Sequence, residues 1–185
     1  ASEEDALLLS VERPEHRAAV IRLTALADEI ESADPAYSEE IRRWTTDDPR
    51  RSDGVQAASV PYVDPDAHEH AGLTIRGFDV RRMGWLPAKD AASTECLLLL
   101  CARDDEPRGW QRVGEALERV WLTLTDRGYW ASPLTQLIEV RSTHEQLRAE
   151  LHLSAHPEIL LRVGRAPAVL PTMRRDPADV IIEAG

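Results

Sequence analysis

The 185 residues carry 22 basic and 33 acidic side chains, a formal charge of −11. Such a balance argues against a nucleic-acid partner, because phosphate neutralisation calls for a basic face. With 43% hydrophobic and 30% charged residues the chain reads as globular, long enough for one domain or one and a fragment.

The longest apolar run, Cys96 to Ala102, is seven residues, against the roughly 20 that span a bilayer. The start, Ala-Ser-Glu-Glu-Asp, is acidic where a signal peptide is basic. No membrane contact and a cytoplasmic location are therefore expected. Cys96 and Cys101 are too few for a disulfide framework and fit no zinc spacing, so both are expected to be buried, reduced thiols. Lys89 is the only lysine and Asn is absent, a usage that points to a GC-rich bacterial genome.

In chain order, Ala6 to Leu9 reads as an edge or connecting strand. Pro14 opens a long helix carrying Val20, Leu23, Leu26 and Ile30, as proline does at no cost in a first turn. Asp34-Pro35 starts a second helix with Tyr37, Ile41 and Trp44 on one face, ending over Thr45 to Asp48. Residues 49–90 hold four prolines and four glycines among scattered aromatics (Tyr62, Phe78, Trp85) and read as an ordered cover or lid. Glu95 to Ala102 is expected to be a strand covered on both faces. Gly109 to Arg127 is the strongest helical pattern, burying Val113, Ala116, Leu117, Val120, Leu122 and Leu124, with Gly128 as its C-cap. Leu137 to Val140 reads as a short strand, Ser142 with Glu145 as a capping box for a helix through Leu151, and Ile159 to Val163 as a buried strand. The proline-rich tail, residues 165–185, reads as an extended arm. The elements together predict an α+β protein of mixed layers.

Candidate chemistry is sparse. Asp64-Pro-Asp66-Ala-His68-Glu-His70 lacks the remaining ligand spacings of a zinc site and reads as a solvated acidic loop. His144, His152 and His156 have no Ser or Cys arranged for nucleophilic catalysis, and the common phosphate loops are absent. Two stretches remain. Arg127-Gly-Tyr-Trp-Ala-Ser-Pro-Leu-Thr-Gln136 reads either as an ordinary helix-to-strand connection or as a stiff turn offering backbone N–H groups to a flat heteroaromatic ligand. Pro171-Thr-Met-Arg-Arg-Asp-Pro177 is either a solvated charge pair or a guanidinium clamp for a phosphate monoester.

Gly109-Trp-x-x-x-Gly114-Glu-Ala-Leu-Glu-Arg-Val120, Ala131-Ser-Pro-Leu-Thr-Gln136 and Leu160-Leu-Arg-Val-Gly164 followed by Pro171-Thr-x-Arg-Arg175 resemble the C-terminal half of nitroreductase-family flavoproteins. The nearest likeness is to the actinobacterial Acg family, in which two nitroreductase-like halves are fused. His16-Arg-Ala-Ala-Val20, Asp34-Pro-Ala-Tyr37, Trp44 and Asp53-Gly54-Val55 resemble the middle of those proteins. The resemblance implies a nitroreductase-like fold over residues 1–185, with 49–90 as a lid and 165–185 as a C-terminal arm. It also implies an FMN site at the interface of a homodimer or of two fused halves. By position, Pro133 and Leu134 would pack on the flavin ring, the Thr135 N–H would face flavin N5, and Arg174 and Arg175 would bind the FMN phosphate. No catalytic side chain and no metal are implied. The family's N-terminal Arg-x-Ser-x-Arg phosphate motif is missing, since Arg13-Pro-Glu-His-Arg17 lacks the serine and adds an acid. The expected activity is NAD(P)H-dependent reduction of nitroaromatic or quinone-like acceptors. The alternative is a non-catalytic, FMN-storing protein with its flavin under the lid.

Overall fold

The computed structural model describes residues 5–48, 50–56, 61–62, 86–87, 96–165 and 174–181. Contacts divide the chain into two compact units, Ala1–Glu31 with Ala71–Arg76 and Ala91–Pro167, and Ser32–His70 with Gly77–Asp90 and Ala168–Gly185.

The first unit is built on a four-stranded antiparallel sheet: β1 (Ala6–Ser10), β6 (Cys96–Ala102), β8 (His156–Gly164) and β7 (Trp130–Leu134), in that spatial order. Alternation along β6 sends Leu97, Leu99 and Cys101 to one face and Leu98, Leu100 and Ala102 to the other. The first face is covered by α1 (Pro14–Ser32), through Val20, Leu23 and Ala27, together with α4 (Gln136–Glu139) and α5 (Arg141–Glu150) through Leu137 and Leu147. The second is covered by α3 (Pro107–Asp126), through Val113 and Ala116. The unit is thus helix, sheet, helix. Burial on both faces explains why the inner strands are nearly all apolar.

Helix α3 ends as its sequence suggests. Gly128 takes φ +71°, its N–H bonds the Thr125 carbonyl at 3.0 Å, and the Tyr129 N–H bonds the Leu124 carbonyl at 2.9 Å, the two bonds of a Schellman motif. Four expectations need correction here. Leu122 is 61% exposed, on the side of α3 away from the sheet. Cys96 is exposed at the first position of β6, whereas Cys101 is buried. The strand expected at Leu137–Val140 is the short helix α4. The hydroxyl of Thr143 draws that segment into a turn by donating to the carbonyls of Leu137 and Val140, both at 2.9 Å. The capping box also fails, because Val140 is the N-cap of α5 and Glu145 pairs instead with Arg141 at 2.9 Å.

In the second unit, α2 (Pro35–Trp44) is capped by Asp34, whose carboxylate accepts from the Ala36 N–H at 2.8 Å. The helix buries no residue fully, and Trp44 of its expected apolar face is 44% exposed. Two short parallel pairs follow, β2 (Thr45–Thr46) with β3 (Val55–Gln56), and β4 (Pro61–Tyr62) with β5 (Leu86–Pro87). Most of the expected lid, including Asp64 to His70, Phe78 and Trp85, lies outside the described residues, as does Pro171 to Met173 of the arm.

The two glycines of α3 give opposite predictions. A Cβ on buried Gly109 would lie 2.5 Å from the Asp104 carbonyl oxygen, whereas one on Gly114 meets nothing within 4 Å. Gly109→Ala should therefore destabilise the chain by about 1–3 kcal/mol through overpacking. Gly114→Ala should stabilise it by up to about 1 kcal/mol through helix propensity. Urea denaturation of the two variants checks the contrast.

Candidate functional site

The stretch singled out after α3 is a strand at its centre. Trp130 to Leu134 forms β7, the outer strand of the sheet, with Pro133 opposite Leu161 and Leu134 opposite Leu160 of β8. Proline is tolerated there because an edge strand pairs on one side only. Pro133 is exposed, and Leu134, 4% exposed, places its side chain in the core beside Leu137 and Leu160. Leu134 therefore has little surface of its own. Thr135 follows as the N-cap of α4, its carbonyl accepting from the N–H groups of Ile138 (2.8 Å) and Glu139 (2.9 Å).

Gln136, the last residue of that stretch, is 2% exposed, and its Nε2 has no hydrogen-bond partner among the described residues. A buried amide donor left unpaired is costly and marks a place where an acceptor belongs. The sequence offered one signal for it, an amide where the surrounding apolar pattern continues.

Arg174 and Arg175 are both exposed and belong to the second unit. They precede a 3₁₀ turn, Pro177–Asp179, capped by Asp176, which accepts from the Ala178 N–H at 2.9 Å. In the same unit, Arg51 Nε pairs with Asp53 Oδ1 at 2.5 Å, and Arg51 Nη1 donates to the Arg43 carbonyl at 3.0 Å. The Asp53 carboxyl is held below its usual range, first by the Arg51 hydrogen bond and further by the charges of Arg51 and Arg175. Arg175 thus lies within electrostatic reach of the β2–β3 corner. Pro133, Leu134 and Thr135 are brought together in the first unit, and Arg174 and Arg175 in the second.

A titratable cluster that sequence reasoning missed sits at one end of β8. Between β6 and β8 the register slips, so that Leu100 faces Ile159 while Cys101 faces Pro157. Glu158 is the extra, bulged residue, and bulges re-aim side chains. Its Oε1 is buried and has no hydrogen-bond partner among the described residues. Burial, with the Asp105 charge adding, raises the Glu158 carboxyl to about 7. Asp105 also accepts from Trp110 Nε1 at 3.0 Å and lies 4.0 Å from His156. His144 is shifted down, chiefly by burial. The Cys101 thiol is raised to about 12 by burial and by Glu158, which removes it as a nucleophile near neutral pH. Among the described residues no three His, Cys, Asp or Glu could hold a metal ion, and no helix is long and apolar enough to cross a membrane.

No family model matches the chain. Among curated proteins it is similar to the proposed NAD(P)H nitroreductase Rv3131 of Mycobacterium tuberculosis strain H37Rv, 34% identical over 133 residues, which are 69% of this chain and 38% of that protein. The corresponding protein of strain CDC 1551 matches equally. It is also similar to the Mycobacterium tuberculosis protein Rv3127, 29% identical over 190 residues, 99% of this chain and 53% of that protein. The chain therefore spans about half, or less, of the length of the curated relatives it matches. Among solved structures, the FMN and NADPH-dependent nitroreductase NfnB from sphigopyxis sp. strain HMH aligns with 97% of this chain and 79% of its own, at 19% identity and a TM-score of 0.48. The chain is a homologue, over part of its length, of a mycobacterial protein named for nitroreductase activity.

The raised Glu158 carboxyl has a consequence for stability. It binds its proton more tightly folded than unfolded, so its contribution favours the fold at acid pH and is lost as pH rises through about 7. His144 acts in the opposite sense, its contribution being lost as pH falls below the ordinary histidine range. Glu158→Gln removes only the first. The stability of Glu158→Gln relative to the parent should therefore rise from pH 5 to pH 8, measured by denaturation at each pH. A difference independent of pH would contradict the placement of Glu158.

Proposed function

We propose that this chain is one nitroreductase-like half of an FMN-binding flavoprotein that reduces nitroaromatic or quinone-like acceptors with NAD(P)H. The observation that carries the reading is the 34% identity over 69% of this chain with the mycobacterial protein Rv3131, a proposed NAD(P)H nitroreductase. Its local support lies in the residues present. Exposed Pro133 and half-buried Thr135 lie at the end of the outer strand β7, where a flat ring could meet them. Two adjacent exposed guanidinium groups, Arg174 and Arg175, suit a phosphate monoester, for which arginine is the preferred partner. Each set of residues fits one part of FMN.

When bound, FMN supplies the hydride and electron chemistry, and the protein supplies binding, orientation and electrostatics. Exposed Pro133 offers an apolar ring surface to one end of the flavin. Half-buried Thr135, at the end of β7, would face its heterocyclic edge. Arg174 and Arg175 balance the phosphate charge in a chain whose formal charge is −11. No acid, base or nucleophile of the chain is required, which accords with the inert Cys101 thiol. The second half would be a partner subunit or a further part of the same polypeptide, and exposed Leu122 and Trp110 are apolar positions for it to cover. The two free thiols suit a cytoplasmic setting.

Arg175→Ala should raise the FMN dissociation constant of the assembled protein about tenfold or more, the scale of a lost charged hydrogen bond. Equilibrium titration followed by flavin fluorescence measures it. The FMN-loaded protein should oxidise NAD(P)H in the presence of a nitroaromatic or quinone. Tight FMN binding without turnover would favour flavin storage, and no FMN binding would overturn the reading.

A further inference from the structure

We propose that Arg51 is a second guanidinium for the flavin phosphate, alongside Arg175, held in position by Asp53 and the Arg43 carbonyl. The inference rests on the FMN reading above and adds to it a residue from the β2–β3 corner.

The first two arginines of the chain, Arg13 and Arg17, are engaged locally. Arg13 pairs with Glu15 at 3.5 Å, and Arg17 Nη1 donates to the Val11 carbonyl at 3.4 Å. Both have local partners, in a segment without the serine of a phosphate motif. The corner of the second unit supplies what they do not. Arg51 is anchored at two points, Nε on Asp53 and Nη1 on the Arg43 carbonyl, and its own carbonyl accepts from Gln56 Nε2 at 2.8 Å. Among the described residues those bonds leave Nη2 unengaged. Its side chain is 32% exposed, so the guanidinium is held by the protein and still reachable from solvent.

Gly54 fixes the turn that makes this possible. At φ +77°, a side chain would be strained, and a Cβ would lie 2.6 Å from the Trp44 carbonyl oxygen and 3.6 Å from Arg51 Nη2. The clash with the Trp44 carbonyl, and the positive φ, require glycine there. Arg175 belongs to the same unit and its charge is felt at Asp53. The Asp53 carboxylate balances the Arg51 charge while no anion is bound. A pre-anchored arginine loses little side-chain freedom when a phosphate arrives, which improves its return in affinity. Asp53 is a positioning residue in this account, and Arg51 the one that touches the ligand.

Riboflavin, which is FMN without the phosphate, separates this role from a purely structural one. For the assembled protein, Arg51→Gln should weaken FMN about tenfold and leave riboflavin affinity unchanged. Asp53→Asn should weaken FMN by a smaller factor, again sparing riboflavin. Arg51→Lys, which keeps the charge, should recover part of the loss, and it serves as the test variant if Arg51→Gln does not fold by circular dichroism. Equal loss of both flavins, or no change in either, would overturn the proposal. If the parent prefers FMN to riboflavin and only Arg175→Ala abolishes the preference, the FMN reading stands and the role of Arg51 falls. If the parent binds neither flavin, the FMN reading itself has failed.

Discussion

The pairing of β6 with β8 is the constraint on which the first unit depends. The apolar side chains of Leu97–Ala102 and Ile159–Val163 form two ranks that need cover on both faces. One sheet face is met by α1, α4 and α5 and the other by α3. With its inner strands buried on both sides, the sheet leaves polar backbone accessible at its margins, where β1 and β7 lie. The fold limits where a flat cofactor could be met, while the identity of that cofactor comes from particular side chains.

Much of this architecture is legible in the residue pattern. Helices α1, α2 and α3 begin at Pro14, Pro35 and Pro107, and a proline in the first turn gives up no hydrogen bond. Gly128 marks the end of α3 for an equally local reason. The inner strands announce themselves as unbroken apolar runs. What was hidden depends on tertiary context. Trp130 to Leu134 contains Ser and Pro, and it reads as a strand only when its place at the sheet edge is known. Leu137 to Val140 has strand-like composition, yet the Thr143 hydroxyl and the burial of Leu137 fold it into a turn of helix. Leu122 follows the helical period but faces away from this chain's sheet.

The site was less legible than the fold. Pro133 and Thr135 were named through a resemblance, and the structure adds that Leu134 points its side chain inward. Arg51 and Asp53 are close in sequence, but their value lies in the anchoring by the Arg43 carbonyl and the reach of Arg175, neither of which spacing reveals. Glu158 shows the same limit. A charged residue at the mouth of an apolar strand was the available signal, and only the register slip explains how it comes to be half-buried with an unpaired oxygen. Local chemistry is written in neighbouring residues, whereas pKa shifts and anchored guanidinium groups arise from what folding brings close.

The central claim is that the protein holds FMN through its phosphate as well as its ring. The most direct measurement is the visible absorption spectrum of the purified, assembled protein after equilibration with FMN and removal of free flavin. Retained flavin bands, with FMN released on denaturation, are the predicted result. A colourless protein that releases no flavin would contradict the account.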